Sequence, residues 1–210
     1  ALTNPETRDR YIVSSLIEEA ITSSQMEGAS TTRQVAADML RMGRPPADKS
    51  ERMILNNFEA IQFVRSIKDR PLTPDDVLEI HRITTADTLE NPAAAGRLQV
   101  PADERVAVVD RGTGVVLFKP PPADQLPARL EKICRFANGE LPANQFLHPV
   151  VRAVMLHFWL AYDHPFEDGN GRTARALFYW AMLNSGYWLF EYVSISAILR
   201  KAFAQYGRSY

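Results

Sequence analysis

An all-α fold carrying one small β-hairpin is predicted by three features of this sequence. Apolar residues recur at three- and four-residue spacing through most of its length. Helix start and stop signals bracket those runs, and the period changes in a single passage near residue 110.

The elements follow in order. Asn4-Pro5 opens a first helix in which Ile12, Leu16 and Ala20 fall four apart with Tyr11, Ile17 and Ile21 beside them, and Gly28 stops it. A second helix runs from Thr32 to Met42, ahead of Gly43 and the Pro45-Pro46 break. The third spans Asp48 to Ile67 with Ile54, Phe58, Ile61 and Val64 on one stripe. Thr73-Pro74-Asp75-Asp76 starts the fourth: a cap, a proline in the first turn, then acids that suit the helix dipole. Residues 88–104 read as a loop rich in Pro, Ala and Gly. The hairpin follows, with Val106, Val108 and Val109 before Asp110-Arg111-Gly112-Thr113-Gly114 and Val115, Val116, Leu117 and Phe118 after it. It stops at Pro120-Pro121-Pro122, and helices resume over 123–137, 149–162, 171–185 and 194–203. One hairpin is not stable alone, so it leans on the helices and serves as a lid or as a surface for a partner.

Composition narrows the function classes. The 210 residues are 46% hydrophobic and 23% charged with a formal net charge of −1, which gives no bulk attraction to nucleic acid or to an anionic membrane. No apolar run is long enough to span a bilayer, and the polar stretch from Ala1 to Arg10 has no signal-peptide core. The single Cys134 excludes an internal disulfide framework, reads as core packing, and fits a reducing cytoplasm. The absence of an initial Met and the polar end Gln205–Tyr210 suggest a fragment from which a further domain is missing.

The chemistry concentrates in His164-Pro165-Phe166-Glu167-Asp168-Gly169-Asn170-Gly171-Arg172-Thr173-Ala174-Arg175. His164 can accept a proton near neutral pH. Asp168 is a carboxylate suited to Mg²⁺, which takes one or two carboxylates plus substrate phosphates, or to capping the following helix. Gly169-Asn170-Gly171 opens a helix whose unpaired N–H groups and dipole attract anions. Arg172 and Arg175, three apart, share a face and can fork phosphate oxygens, while Phe166 anchors the loop in the core. A transition-metal set of His157, Asp163, His164 and Asp168 fits less well, because it leaves Asn170, Arg172 and Arg175 without a use. His157, among Met155, Leu156, Phe158 and Trp159, reads as structural.

This loop resembles the signature of the Fic family, His-x-Phe-x-Asp/Glu-Gly-Asn-Gly-Arg-x-x-Arg, at every defined position. The resemblance implies the Fic fold, a helical bundle with one small β-hairpin, and transfer of AMP from ATP to a Ser, Thr or Tyr hydroxyl of a target protein. It implies that His164 is the general base and that Asp168 holds Mg²⁺ between the α- and β-phosphates. Gly169, Asn170 and Gly171 would form the phosphate turn, Arg172 would grip the β-phosphate region and Arg175 the γ-phosphate. Val108, Val109, Val115, Val116 and Leu117 would be the flap that docks an extended target segment by strand addition. The related Doc toxins, which phosphorylate, carry Lys where Gly171 stands here, so nucleotidyl transfer is preferred. Where many relatives have Gly-x-x-Arg before the flap, this sequence departs with Gly96-Arg97-Leu98-Gln99.

A second likeness lies upstream. Ser23-Ser24-Gln25-Met26-Glu27-Gly28 matches the family's inhibitory pattern Ser/Thr-x-x-x-Glu-Gly/Asn. It implies that residues 1–30 are an inhibitory helix on a Fic domain of residues 31–210. Glu27 would then pair with Arg175 and exclude the γ-phosphate, and in some relatives the same Glu aligns a water that reverses the reaction. The resemblance also allows pairing of two copies through the core, and a donor other than ATP. The alternative from another class is a nucleotide-binding regulatory module with little transferase activity.

Overall fold

The computed structural model describes residues 5–103, 105, 108–109, 116–141 and 145–208. Local signals set the element ends. Helix α1 (Pro5–Met26) closes on Gly28 at φ 98°, with Gly28 N–H donating to Gln25 O and Ala29 N–H to Ser24 O, the paired bonds of a Schellman stop. Thr32 caps α2 (Arg33–Met42), which ends on left-handed Gly43. Asp48 accepts from Glu51 N–H to cap α3 (Lys49–Ser66). Thr73 and Asp76 form a reciprocal capping box on α4 (Pro74–Thr85), reinforced by a two-pronged Arg70–Asp76 ion pair.

The loop after α4 contains a 3-10 turn at Pro92–Ala94. Val108–Val109 (β1) then pairs antiparallel with Val116–Phe118 (β2), with an irregularity in register between Val108 and Val109. Residues 110–115, including Val115, lie outside the described residues. A 3-10 turn at Ala123–Gln125 leads into α5 (Leu126–Ala137). Helix α6 (Pro149–Asp163) and helix α7 (Asn170–Asn184) follow, joined by the loop of interest. The expected last helix is two pieces, α8 (Ile195–Lys201) and α9 (Phe203–Arg208), and a 3-10 turn at Trp188–Tyr192 precedes them where no element is predicted.

Helix α7 is the axis of the molecule. Its buried residues occupy nearly the whole circumference, because α1, α3, α4 and α6 all pack on it. Leu156, Leu160, Phe166, Leu177 and Trp180 sit in the main core with residues of α3, α4 and α5. A second core joins Ile17, Ile21, Ala36, Met39 and Ile54 from α1, α2 and α3. The stripe residues Ile54, Ile61 and Val64 are buried as their spacing predicts, and Phe58 is half-buried. Cys134 lies in the main core, where burial pushes its thiol up to about 12. Among the described residues no helix is long and apolar enough to cross a membrane. The packing holds the end of α1 against the start of α7, two segments far apart in sequence.

Candidate active site at the start of helix α7

The loop between α6 and α7 is held by its own residues and by α4. His164 is the C-cap of α6 in the left-handed region, at φ 43° and ψ 55°, a conformation that costs a non-glycine residue about 1–2 kcal/mol. Its N–H donates to Leu160 O at 2.9 Å. Asn170 straps the loop from inside: Phe166 N–H donates to its Oδ1 at 3.0 Å, and its Nδ2 donates to Phe166 O at 2.8 Å. The Asn170 side chain, expected in the phosphate turn, is therefore engaged by the loop backbone.

Phe166 is fully buried, as its anchoring role requires, and full burial of such a side chain contributes about 2–3 kcal/mol. Its ring stacks on His81 of α4, with centroids 3.7 Å apart and planes 5° off parallel. Gly96 N–H donates to His81 Nδ1 at 3.0 Å, so the imidazole proton sits on Nε2, which donates to Asp168 O at 2.9 Å. Burial pushes His81 down to about 4, which keeps it neutral as this bonding requires. A polar side chain among Val77, Ile80 and Thr84 on the buried face of α4 was the sequence signal for this support.

Two glycines carry steric requirements. Gly169, at φ 80°, lies where a Cβ would come within 2.6 Å of Thr85 Cγ2. At Gly171 a Cβ would collide with the Glu27 carboxylate. The Glu27 carboxylate thus rests directly over the glycine of the helix start.

The arginines sit in different settings. Arg175 is buried and clasped by the end of α1: Nε donates to Ser23 Oγ at 2.8 Å, and Nη2 donates to Ser23 O at 3.0 Å and to Glu27 Oε1 at 2.8 Å. Burial is the largest influence and opposes its charge, but the pairing with Glu27 and the charges of Tyr206 and Glu19 together outweigh it and raise the pKa. Arg172, also buried, donates to Thr84 O at 3.0 Å near the end of α4. Its nearest carboxylate, Asp168, is 3.8 Å away and largely exposed, and burial lowers the Arg172 pKa. Arg172 Nε has no hydrogen-bond partner among the described residues. A buried cation so weakly paired is costly unless an anion joins it.

His164 is half-buried, and burial is the largest influence lowering its pKa, followed by the charge of Arg105. A hydrogen bond to the Ala161 backbone and the charges of Glu27 and Asp168 oppose the shift. Arg105 comes from a stretch with no periodicity, so nothing in the sequence marked it. Beside Arg175 a cavity of about 560 Å³ opens between α6, α7 and the C-terminal helices, with Val154, Phe158, Phe178, Leu199 and Tyr206 on its walls. That is within the ~300–1,000 Å³ range typical of small-molecule sites. His157 lies at its edge, 3.1 Å from Tyr206 Oη through Nε2, and so is more than core filler. Among the described residues no group of three or more His, Cys, Asp or Glu side chains is arranged to hold a metal by itself.

The fold brings together His164, Phe166, Asp168, Gly169, Asn170, Gly171, Arg172, Arg175, Ser23 and Glu27. Gly28 acts one step removed, as the stop that turns Glu27 toward the site. Known proteins resemble the chain over this region. A protein of Nematostella vectensis named protein adenylyltransferase Fic is 33% identical over 173 residues, which is 80% of this chain and 36% of that one. The protein adenylyltransferase fic-1 of Caenorhabditis elegans is 27% identical over 184 residues, 86% of this chain and 33% of its own length. The chain therefore spans about a quarter to a third of the length of the curated relatives it matches. Among solved structures, a Fic domain-containing signaling protein of Bacteroides thetaiotaomicron superposes with a TM-score of 0.75 at 25% identity, over 87% of this chain and 68% of that one. The Fic/DOC family pattern matches residues 71–182, from the start of α4 to the end of α7. That span contains the loop, its His81 support and both arginines, and the chain belongs to the Fic/DOC family.

Proposed function

We propose that this chain is a protein adenylyltransferase whose resting state is closed by its own first helix. The observation that carries this reading is the clasp of Ser23 and Glu27 on buried Arg175, directly over Gly171 at the start of α7. A guanidinium fork binds a carboxylate or a phosphate, and here the carboxylate has it.

In the open state, Arg175 would take the γ-phosphate and the under-paired Arg172 the β-phosphate region. The first-turn N–H groups of α7 would line the phosphate chain, and the cavity beside Arg175 has room for the nucleoside. His164 would accept the proton of a Ser, Thr or Tyr hydroxyl on a target protein. The hydroxyl oxygen attacks the α-phosphorus in line, the bond from that phosphorus to pyrophosphate breaks, and an AMP ester remains on the target. Residues 1–30 would act as the inhibitory arm of a catalytic unit over 31–210.

Asp168 fits Mg²⁺: its carboxylate is 62% exposed beside the helix start, and one carboxylate with substrate phosphates is a usual Mg²⁺ set. When bound, the metal neutralises phosphate charge. The flap strands, β1 and β2, would dock the target by strand pairing.

The test is incorporation of label from α-labelled ATP with Mg²⁺. Glu27→Gly should raise incorporation at least tenfold over the parent, and adding His164→Ala should abolish it while ATP still binds. Equal incorporation with and without Glu27 would remove the inhibitory role. Nucleotide binding without incorporation would favour a regulatory module.

The Glu27 side chain is 34% exposed against 5% for Arg175, so its carboxylate keeps a wet edge that could orient water for the reverse reaction. A pre-modified target incubated without ATP would release AMP in the parent and retain it in Glu27→Gly.

A further inference from the structure

The C-terminus of α6 presents backbone carbonyls with no intrahelical partner, at the residue that would serve as base. Arg105 takes two of them. Its Nη2 donates to Asp163 O at 2.8 Å, and its Nη1 donates to His164 O at 3.0 Å and to Gln99 Oε1. Its Nε donates to Pro121 O at 3.1 Å, in the proline step that follows β2. The next carbonyl, Pro165 O, accepts from Gln99 N–H at 2.9 Å. Three consecutive carbonyls, 163 to 165, are thus held by Arg105 and Gln99.

The side chain of Asp163 is fixed from the other side, with Arg129 Nε and Nη2 donating to Oδ1 at 2.9 and 2.6 Å. Asp163 is clamped by one arginine through its backbone and by another through its carboxylate. The placement of Arg105 is electrostatically sound, since a cation at a helix C-terminus is favoured by the dipole. It is also sterically needed. His164 is one of two non-glycine residues with positive φ among the described residues, and such a conformation persists only where neighbours fix it.

We propose that Arg105 is the positioning residue for His164, tying the base of the flap to the end of α6 so that the imidazole is aimed only when the flap is seated. Arg105 lies three residues before β1, and Pro121 lies three residues after β2, so the guanidinium bridges both roots of the flap. A target segment that pairs with the flap would load this bridge. Docking and proton acceptance would then be coupled through one side chain that touches neither nucleotide nor target. The inference rests on the transferase reading for its catalytic consequence, but the tie itself can be tested without turnover.

The charge of Arg105 provides the independent readout. The groups that face His164 are Arg105 from the loop before β1, Glu27 from the end of α1 and Asp168 from its own loop, with a hydrogen bond to the Ala161 backbone. Burial and Arg105 disfavour the imidazolium, and the others favour it. Removing the Arg105 charge therefore moves the His164 titration upward, and a lysine that keeps the charge leaves it near its starting point.

The experiment compares Arg105→Gln and Arg105→Lys in the Glu27→Gly chain, reading kcat and KM for ATP, with the His164 imidazole titration followed by NMR. Arg105→Gln should lower kcat on the order of 10- to 100-fold with KM for ATP within about twofold, because a misaimed base loses turnover and not nucleotide binding. Its His164 titration and the acidic limb of its pH–rate profile should both move to higher pH. Arg105→Lys should recover part of kcat and the starting titration. The inference is overturned if Arg105→Gln turns over like its parent. It is also overturned if kcat falls with a matching rise in KM and loss of amide protection across all helices, which marks general loosening. If the Glu27→Gly parent and its His164→Ala derivative are equally inactive, the transferase reading fails. The His164 titration then decides on Arg105 by itself: an upward shift in Arg105→Gln upholds the tie, and an unmoved one overturns it.

Discussion

Arg175 and Glu27 stand 148 residues apart in the chain and 2.8 Å apart in space, and their contact lies over the start of α7. The partners are unequal: the guanidinium is buried and the carboxylate keeps contact with solvent. Removing Glu27 leaves a buried cation that retains its two Ser23 acceptors, so the loss is smaller than for a fully buried pair. Glu27→Gly should lose about 1–3 kcal/mol of unfolding free energy, or about 2–4 °C of melting temperature per kcal/mol. ATP with Mg²⁺ should restore stability in the variant far more than in the parent, since bound ligand stabilises the folded state by mass action. Thermal denaturation with and without nucleotide reads both; equal ATP-induced shifts would mean Glu27 does not compete for the nucleotide site.

Gly171 makes a companion prediction. A methyl group there meets the Glu27 carboxylate, so Gly171→Ala should destabilise the parent by about 1–3 kcal/mol through overpacking. In the Glu27→Gly background the carboxylate is gone, and only Arg175 Nη1, 3.2 Å from the added Cβ, still crowds it. The same substitution should then cost clearly less than in the parent. A double-mutant cycle by denaturant unfolding measures the difference, and strict additivity would show that the two residues do not press on each other.

The caps of this fold were legible because each is a conversation among neighbours. Thr73 and Asp76 read as a helix start from four letters, and Gly28 as a stop from its place after an apolar run. The loop 164–175 was legible because its chemistry is contiguous. The stacking of His81 on Phe166 was not, since it joins residues 85 positions apart through the packing of α4 on α7. Asn170 shows the limit from the other side. Its place in the motif was plain, but its side chain is engaged by Phe166, a bond whose partner only the folded loop selects. Arg105 left no trace because a lone arginine in an aperiodic loop gains meaning from the carbonyls it meets.

His157 and the apolar cavity give a prediction about pH. Burial is the larger influence on this imidazole, followed by the charge of Arg175, and together they push it down to about 4 from an ordinary value of 6.5. Between those values the unfolded chain binds a proton that the folded chain refuses, so stability rises with pH across the window. The contribution is fully present above about 6.5 and is lost as pH falls toward 4, amounting to at most about 3 kcal/mol. His157→Gln should flatten the pH dependence of unfolding free energy in that range relative to the parent. An unchanged slope between pH 6.5 and 4 would mean that His157 is protonated as readily folded as unfolded.

Helix α1 has a second anchor. Glu19 of α1 is buried and accepts from Tyr179 Oη at 3.0 Å, Ser194 Oγ at 2.8 Å, Ser196 N–H at 2.9 Å and Ser196 Oγ. These donors belong to α7 and to the first turn of α8, so one carboxylate joins α1 to both sides of the cavity near Arg175. A buried carboxylate is tolerated here because every bond it accepts offsets lost hydration. Tyr179 Oη also has Val193 O as acceptor, at 2.7 Å, so Glu19→Ala would take the acceptor from the Ser194 and Ser196 hydroxyls and the Ser196 N–H together, at a cost of about 3–5 kcal/mol. Loss on that scale should fall first on the docking of α1. Hydrogen exchange should therefore quicken in residues 9–26 well before α6 and α7, and label incorporation from ATP should rise although Glu27 is intact. Faster exchange across all helices alike would make Glu19 a general prop; protection lost from α1 alone, with incorporation at the parental level, would mean that Ser23 and Glu27 hold Arg175 without help from the rest of their helix.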